Sequence, residues 1–132
     1  MCVAESVELA TILLSDLVGS TRLIEPWADQ VVWNGVIDYG HAHMWLGLLA
    51  ACRGDHEPAD EHLAFACDFQ ETNGLLLWAT RAHLGWAEAL ARRGDAGARE
   101  HAARALELSR EHGYGAFEPR AAAIVEAPSA VG

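Results

Sequence analysis

Between positions 38 and 126, apolar and small residues return every three or four places in one stretch after another. Each of the first four stretches closes on a glycine or a glycine-bearing turn. That spacing is the mark of helices with one buried face. It predicts five, over 38–53, 57–73, 76–92, 98–112 and 116–126. Asp38 reads as the cap of the first, and Pro58 falls near the first position of the second. Gly74 and Gly113 follow the second and fourth, where a left-handed C-terminal cap favours glycine. Residues 127–132 read as a disordered tail.

The pattern before position 38 differs. Residues 7–14, VELATILL, are a mostly apolar run of a length that fits a buried strand. Asp16, Gly19, Ser20 and Thr21 read as a turn, with Ser20 or Thr21 able to cap a helix starting near Arg22. Pro26 cuts that helix short or restarts it. Residues 27–34 predict a short helix with Trp27 and Val31 four apart on one face, and Gly35 reads as a break.

The helical part repeats itself. Arg53-Gly54-Asp55 returns as Arg93-Gly94-Asp95 forty residues on. Glu61-His62 returns as Glu100-His101, and Gly74 as Gly113, thirty-nine residues on. Landmarks in one order at one period imply two copies of a helix–turn–helix unit. The one-residue slip falls between Gly94 and Glu100, in a loop. Both Arg-Gly-Asp triplets then sit in equivalent turns, with glycine taking a positive φ. Small residues such as Gly47, Ala59 and Ala87 recur where paired helices would approach closely.

The faces of these helices agree. Glu57, Glu61, Ala64, Asp68 and Glu71 line one side of the second, and Leu63, Ala66, Cys67 and Gln70 another. Arg81, Glu88 and Arg92 share one side of the third, with Glu88 and Arg92 in the favourable i,i+4 orientation. The rest of that helix is apolar nearly all round, including Trp78, Trp86 and Leu90, as expected of an inner helix covered by neighbours. Glu100, Arg104, Glu107 and Glu111 form a polar ladder on the fourth. The sequence therefore predicts an all-α fold, a right-handed stack of two helix hairpins plus a terminal helix, with a short N-terminal strand or irregular segment.

Charge and composition narrow the function. The formal net charge of −10 makes nucleic acid and anionic membrane surfaces poor partners. The longest apolar run, 45–52, is too short to span a bilayer, and Glu5 and Glu8 argue against a secretory signal. A cytoplasmic protein is expected. Cys2, Cys52 and Cys67 are far apart and read as small buried hydrophobes in a reducing compartment.

Little catalytic chemistry stands out. His56-Glu57 suggests a metalloprotease helix, but the next histidine, His62, is six places on and Pro58 intervenes. His41 and His43 point to different sides of a helix. His62 and His101 occupy equivalent repeat positions, which argues for a structural surface role. Trp45, Trp78 and Trp86 read as packing residues. Trp27 and Trp33, outside the repeats, and Arg81, on the polar stripe, are the candidates for partner contact.

The small and apolar positions of 38–113 resemble tetratricopeptide-type repeats. Leu46, Gly47, Gly54, Ala59 and Ala66 match that pattern in the first copy, and Ala87, Leu90 and Gly94 in the second. The wording of residues 74–113 resembles the repeat region of actinobacterial signalling regulators that join a class III nucleotide cyclase, an AAA-type ATPase and helical repeats. Residues 11–25, TILLSDLVGSTRLIE, resemble the opening strand and turn of such a cyclase, with Asp16 at its first metal-binding aspartate. The resemblance implies a magnesium–nucleoside triphosphate site there. The second metal carboxylate of that family is expected some forty residues on, a region that is already helical repeat, and no phosphate-binding loop of the ATPase type is present. Asp16 therefore reads as a vestige, and residues 1–37 as a cyclase-like segment and linker joined to repeats over 38–126. The expected function is a protein- or peptide-binding module without catalytic activity or cofactor of its own. The alternatives are a degenerate cyclase lending Asp16 to a complex, or a remnant with no autonomous function. Dimerisation through residues 7–14 is a further expectation.

Overall fold

The computed structural model describes residues 31–34 and 37–128, with side chains from Tyr39 onward. Two strands, β1 (Val31–Asn34) and β2 (Ile37–His41), precede five helices. These are α1 (Ala42–Arg53), α2 (His56–Thr72), α3 (Leu76–Arg92), α4 (Ala98–His112) and α5 (Glu118–Glu126). The described region is thus mostly helical, as the hydrophobic spacing predicts. The strand expected at 7–14 and the turn at 16–21 lie outside it.

The N-terminal boundary corrects the sequence reading. Residues 31–34 are a strand, not the end of a short helix, and they pair antiparallel with β2, placing Asn34 opposite Ile37 and Trp33 opposite Asp38. Val31, Val32 and Ile37 are β-branched, which favours a pleated strand over a single helical turn. Asp38 lies within β2 and does not cap α1. His41 takes that place: its backbone is extended (φ −75°, ψ 140°), and its ring Nδ1 accepts from the His43 N–H at 3.1 Å. The cap of the first helix therefore lies three residues later than Asp38 suggests. The fifth begins at Glu118, with Pro119 in its first turn, two residues later than expected.

Every turn after α1 to α4 is built alike. Gly54, Gly74, Gly94 and Gly113 have φ of 82°, 72°, 74° and 74°. The residue after each glycine donates its N–H to a carbonyl five places back, at 2.8–3.0 Å: Asp55 to Ala50, Leu75 to Gln70, Asp95 to Leu90, Tyr114 to Ser109. This pairing satisfies the last helical carbonyls and needs the left-handed backbone that glycine adopts most easily. Arg53 and Asp55 pair across the first turn at 3.2 Å, and Arg93 and Asp95 across the third at 3.4 Å.

These short turns fold each helix back along its predecessor. α1 packs on α2, α2 on α3, α3 on α4 and α4 on α5, while α3 also touches α1, α5 and β2. The two hairpins bury the same positions. Met44, Gly47 and Ala50 are buried in α1, and Leu84, Ala87 and Leu90, forty residues on, are buried in α3. Ala59, Leu63, Ala66 and Gln70 are buried in α2, and Ala98, Ala102, Ala105 and Ser109, thirty-nine residues on, in α4. Ala98 thus takes the place of Ala59. The shared period is a shared packing surface.

One core cluster joins Met44, Ala66, Cys67 and Ala82, with Trp45, Leu48, Trp78 and Trp86 against it. A second joins Leu84, Ala105 and Ala121, with Leu106, Phe117 and Ile124. Trp45, Trp78 and Trp86 are therefore packing residues, as expected. Gly47 is needed for close approach, since a Cβ there would lie 2.6 Å from Leu63 Cγ. The cysteines divide. Cys67 is buried and free, whereas Cys52 is exposed and disulfide-bonded, against the reading of all three as buried reduced hydrophobes.

Candidate interaction surface

The contacts of α3 with α1 and α5 bring Leu48, Arg81, Gly85, Glu88 and Arg120 together. Gly85 opens this place: a Cβ there would sit 2.4 Å from Leu48 Cδ2 and 3.1 Å from Arg81 Nη1. Arg81 fills the space with its guanidinium. Nη1 is shut off from solvent and has no hydrogen-bond partner. Glu88 does not supply one. It was expected to face Arg92 one turn on, but it binds Arg120 of α5, with Oε1 2.8 Å from Nε and 2.5 Å from Nη2. Burial, and then the charge of Arg120, pull the Arg81 guanidinium below its ordinary pKa, against the smaller effect of Glu88. A guanidinium nitrogen that has lost water and gained no acceptor is costly, and because Arg81 as a whole is only partly buried, its other donors are the ones an incoming carboxylate would meet.

On the other hairpin faces, the histidines pair. His43 Nδ1 of α1 lies 3.1 Å from His62 Nδ1 of α2, and His83 Nδ1 of α3 lies 3.1 Å from His101 Nδ1 of α4. His43 and His83 are forty residues apart, the same period as the turns. The sequence reading noticed His62 and His101 but not their partners. The period was the signal, and the two-residue spacing of His41 and His43 hid it. Both His62 and His101 are half-buried against the facing helix, not surface groups as expected.

The second pair belongs to a longer chain of bonds. Arg104 donates to both oxygens of Glu71, at 3.2 and 2.7 Å, and to Glu107. These donors hold the Glu71 carboxyl below its usual range, outweighing its burial. Glu71 is therefore charged and accepts from His83 Nε2 at 2.6 Å. In neutral His83 the Nδ1 atom is then an acceptor, so His101 Nδ1 donates to it. His101 in turn stacks on Trp86, with ring centroids 3.8 Å apart. Trp86 Nε1 donates to Asp60 at 2.8 Å, and Arg93 donates to the same carboxylate at 2.6 Å. Burial is the first cause that lowers the pKa of His83 and of His101.

This chain of bonds ties α2 to both helices of the next hairpin. Cys67 is a poor nucleophile, because burial, and then Glu71, push its thiol up to about 12. His41 is buried, and its pKa falls to about 4, through burial and then His43. Among the described residues no three His, Cys, Asp or Glu side chains gather to hold a metal ion.

Of the residues singled out from sequence, Asp16 and Trp27 lie outside the described residues, and of Trp33 only the backbone, in β1, is described. Gly47, Gly54, Gly74, Trp86, Ala87, Leu90, Gly94 and Gly113, with Ala59, stand in the packing and turn positions given above. No helix among the described residues is long and apolar enough to cross a membrane. Comparison with known proteins adds no kinship: no family model, no curated protein and no solved structure matches the chain.

Proposed function

We propose that residues 38–126 are a tetratricopeptide-like hairpin stack that acts as a protein-interaction module, part of a cyclase-type signalling regulator, and binds a carboxylate-bearing peptide segment where α1, α3 and α5 meet. The repeated burial of Met44/Leu84, Gly47/Ala87 and Ala59/Ala98 supports the repeat reading. Stacked hairpins of this kind present continuous surfaces suited to extended ligands. The observation that carries the binding role is Arg81, a partly buried arginine whose Nη1 is shut off from solvent without an acceptor. A planar fork with unused donors is well matched to a carboxylate.

Fluorescence polarisation tests this with labelled eight-residue peptide pools, neutral but for one Asp or Glu, against a matched Asn/Gln pool. The acidic pools bind and the amide pool does not. Arg81→Gln weakens acidic binding by at least about tenfold, roughly the worth of one charge-assisted hydrogen bond. Equal binding of both pools, or an unchanged Arg81→Gln variant, would reject the proposal.

A further inference from the structure

We infer that His43 and His62 form a two-imidazole site for a borderline transition-metal ion, copper(II) or zinc(II), bridging α1 and α2 on the first hairpin. Both residues are half-buried. Their Nδ1 atoms are 3.1 Å apart. Two nitrogens bound to one ion at about 2.1 Å and near-tetrahedral angles are about 3.4 Å apart, so the pair needs only a small adjustment to chelate. Imidazole suits zinc, copper and nickel, and copper(II) binds such donors most tightly in the divalent series.

The homologous pair shows what a closed arrangement looks like. His83 and His101 have the same Nδ1···Nδ1 distance, but their ring centroids are 5.4 Å apart and their planes only 26° apart. The rings meet nearly end on, as an N–H···N bond requires. The His43 and His62 centroids are 4.8 Å apart with planes at 80°. At the same nitrogen separation, the shorter centroid distance shows that these rings do not meet end on, an arrangement that lets both nitrogens address one ion beside the pair. Glu71 also fixes the tautomer of His83, whereas no acidic group is bonded to His43 or His62 among the described residues. With two protein ligands, water completes the coordination shell. Phe65, 4.6 Å from the His43 ring, walls one side of the site and limits how the rings can turn.

All seven histidines lie among the described residues, so the competing imidazoles are known. The full chain is titrated with copper(II) alone and followed by electron paramagnetic resonance, and with zinc(II) alone by thermal denaturation. The copper spectrum shows two coordinated imidazole nitrogens in the wild type and one or none in His43→Ala and His62→Ala. Saturating zinc raises Tm by about 5 °C or more in the wild type and by less than about 1 °C in either variant. His56→Ala, an exposed histidine on α2, behaves as wild type. Circular dichroism confirms that the variants remain helical, so a lost signal reports the site and not the fold. A wild-type chain with no copper-bound imidazole, or a His62→Ala variant that binds as the wild type does, overturns the inference.

Discussion

Glu71 and His83 meet at 2.6 Å across the boundary between the two hairpins, joining the end of α2 to the middle of α3. Glu71 is the acceptor for both His83 and Arg104, and so holds one residue from each helix of the second hairpin. Replacing it by alanine leaves a buried His83 ring and a half-buried guanidinium without their acceptor. Each bond to a charged group is worth about 1.5–3 kcal/mol, but partial exposure of Glu71 and Arg104 screens the pair. The expected loss for Glu71→Ala is about 1–3 kcal/mol in urea unfolding, with an unchanged m-value. Glu71→Gln retains one acceptor and loses less.

The same chain makes stability depend on pH. Burial lowers the pKa of His83 and His101 below the ordinary 6.5, so the folded chain binds fewer protons than the unfolded one in that window. Stability therefore rises with pH there. Their contribution is complete above about 6.5 and is lost as pH falls below it. Glu71 works in a lower window. Its depressed pKa gives stability that is present above the ordinary 4.5 and lost as pH falls below it. Urea midpoints measured from pH 8 to 4 should fall in two stages. His41, whose pKa falls to about 4, His43 and His83 act in the first window too, so His101→Asn should reduce the first stage without removing it. A midpoint constant between pH 7.5 and 5.5 in the wild type would contradict this account.

The helices from residue 56 to 112 were legible because three kinds of signal agree there. Apolar spacing marks the buried face, glycine marks each left-handed turn, and the repeat of Arg-Gly-Asp fixes the phase. Met44/Leu84 and Gly47/Ala87 follow from that phase alone. The β-hairpin was missed because Val31, Val32 and Trp33 also fit one turn of an apolar helix, and short apolar runs do not separate the two. Gly35, directly after the apolar run 31–33 and Asn34, was the available hairpin signal in the sequence. His41 was hidden as a cap, because histidine is not a usual one and Asp38 is. Arg81 shares a helix side with Glu88 and Arg92 in the sequence pattern, but its guanidinium turns inward. Its isolation was not readable, since it depends on Glu88 choosing Arg120, thirty-two residues away, over Arg92 in its own helix.

Gly47 and Ala87 hold equivalent places with different tolerances. At Gly47 a methyl group would lie 2.6 Å from Leu63 Cγ and 3.1 Å from the Leu63 backbone nitrogen. The side chain can turn away, but the backbone cannot without opening the hairpin. Overpacking of this kind costs about 1–3 kcal/mol and outweighs the gain of about 1 kcal/mol from alanine's helix propensity. Gly47→Ala is therefore expected to lower stability. Ala87→Gly, in a helix interior and fully buried, removes a packed methyl group and a good helix former, and should cost about 1–2 kcal/mol. Differential scanning calorimetry of both variants tests the pair. A stabilised Gly47→Ala would show that α1 and α2 do not approach as closely as Leu63 indicates.

Asp60 carries the last prediction, because its two oxygens serve two different donors. Oδ1 accepts from Trp86 Nε1 and Oδ2 from Arg93. Both donors come from α3 or the residue after it, so Asp60 fixes where the second hairpin leans on the first. Asp60→Ala frees a half-buried indole N–H and a guanidinium at once, and should cost about 1–2 kcal/mol. Asp60→Asn keeps one acceptor oxygen for Trp86 but loses the charge that Arg93 needs, so it should fall between alanine and wild type. Arg93→Ala leaves the Trp86 bond in place and removes the ion pairs to Asp60 and Asp95. Arg93 also reaches Asp95 and is largely covered, so its loss should exceed that of the more exposed Arg53, which pairs only with Asp55 in the matching turn. A double-mutant cycle between positions 60 and 93 should return a coupling of about 0.5–1.5 kcal/mol, well outside additivity. Additive effects would mean that the Asp60–Arg93 pair does not help hold the two hairpins together.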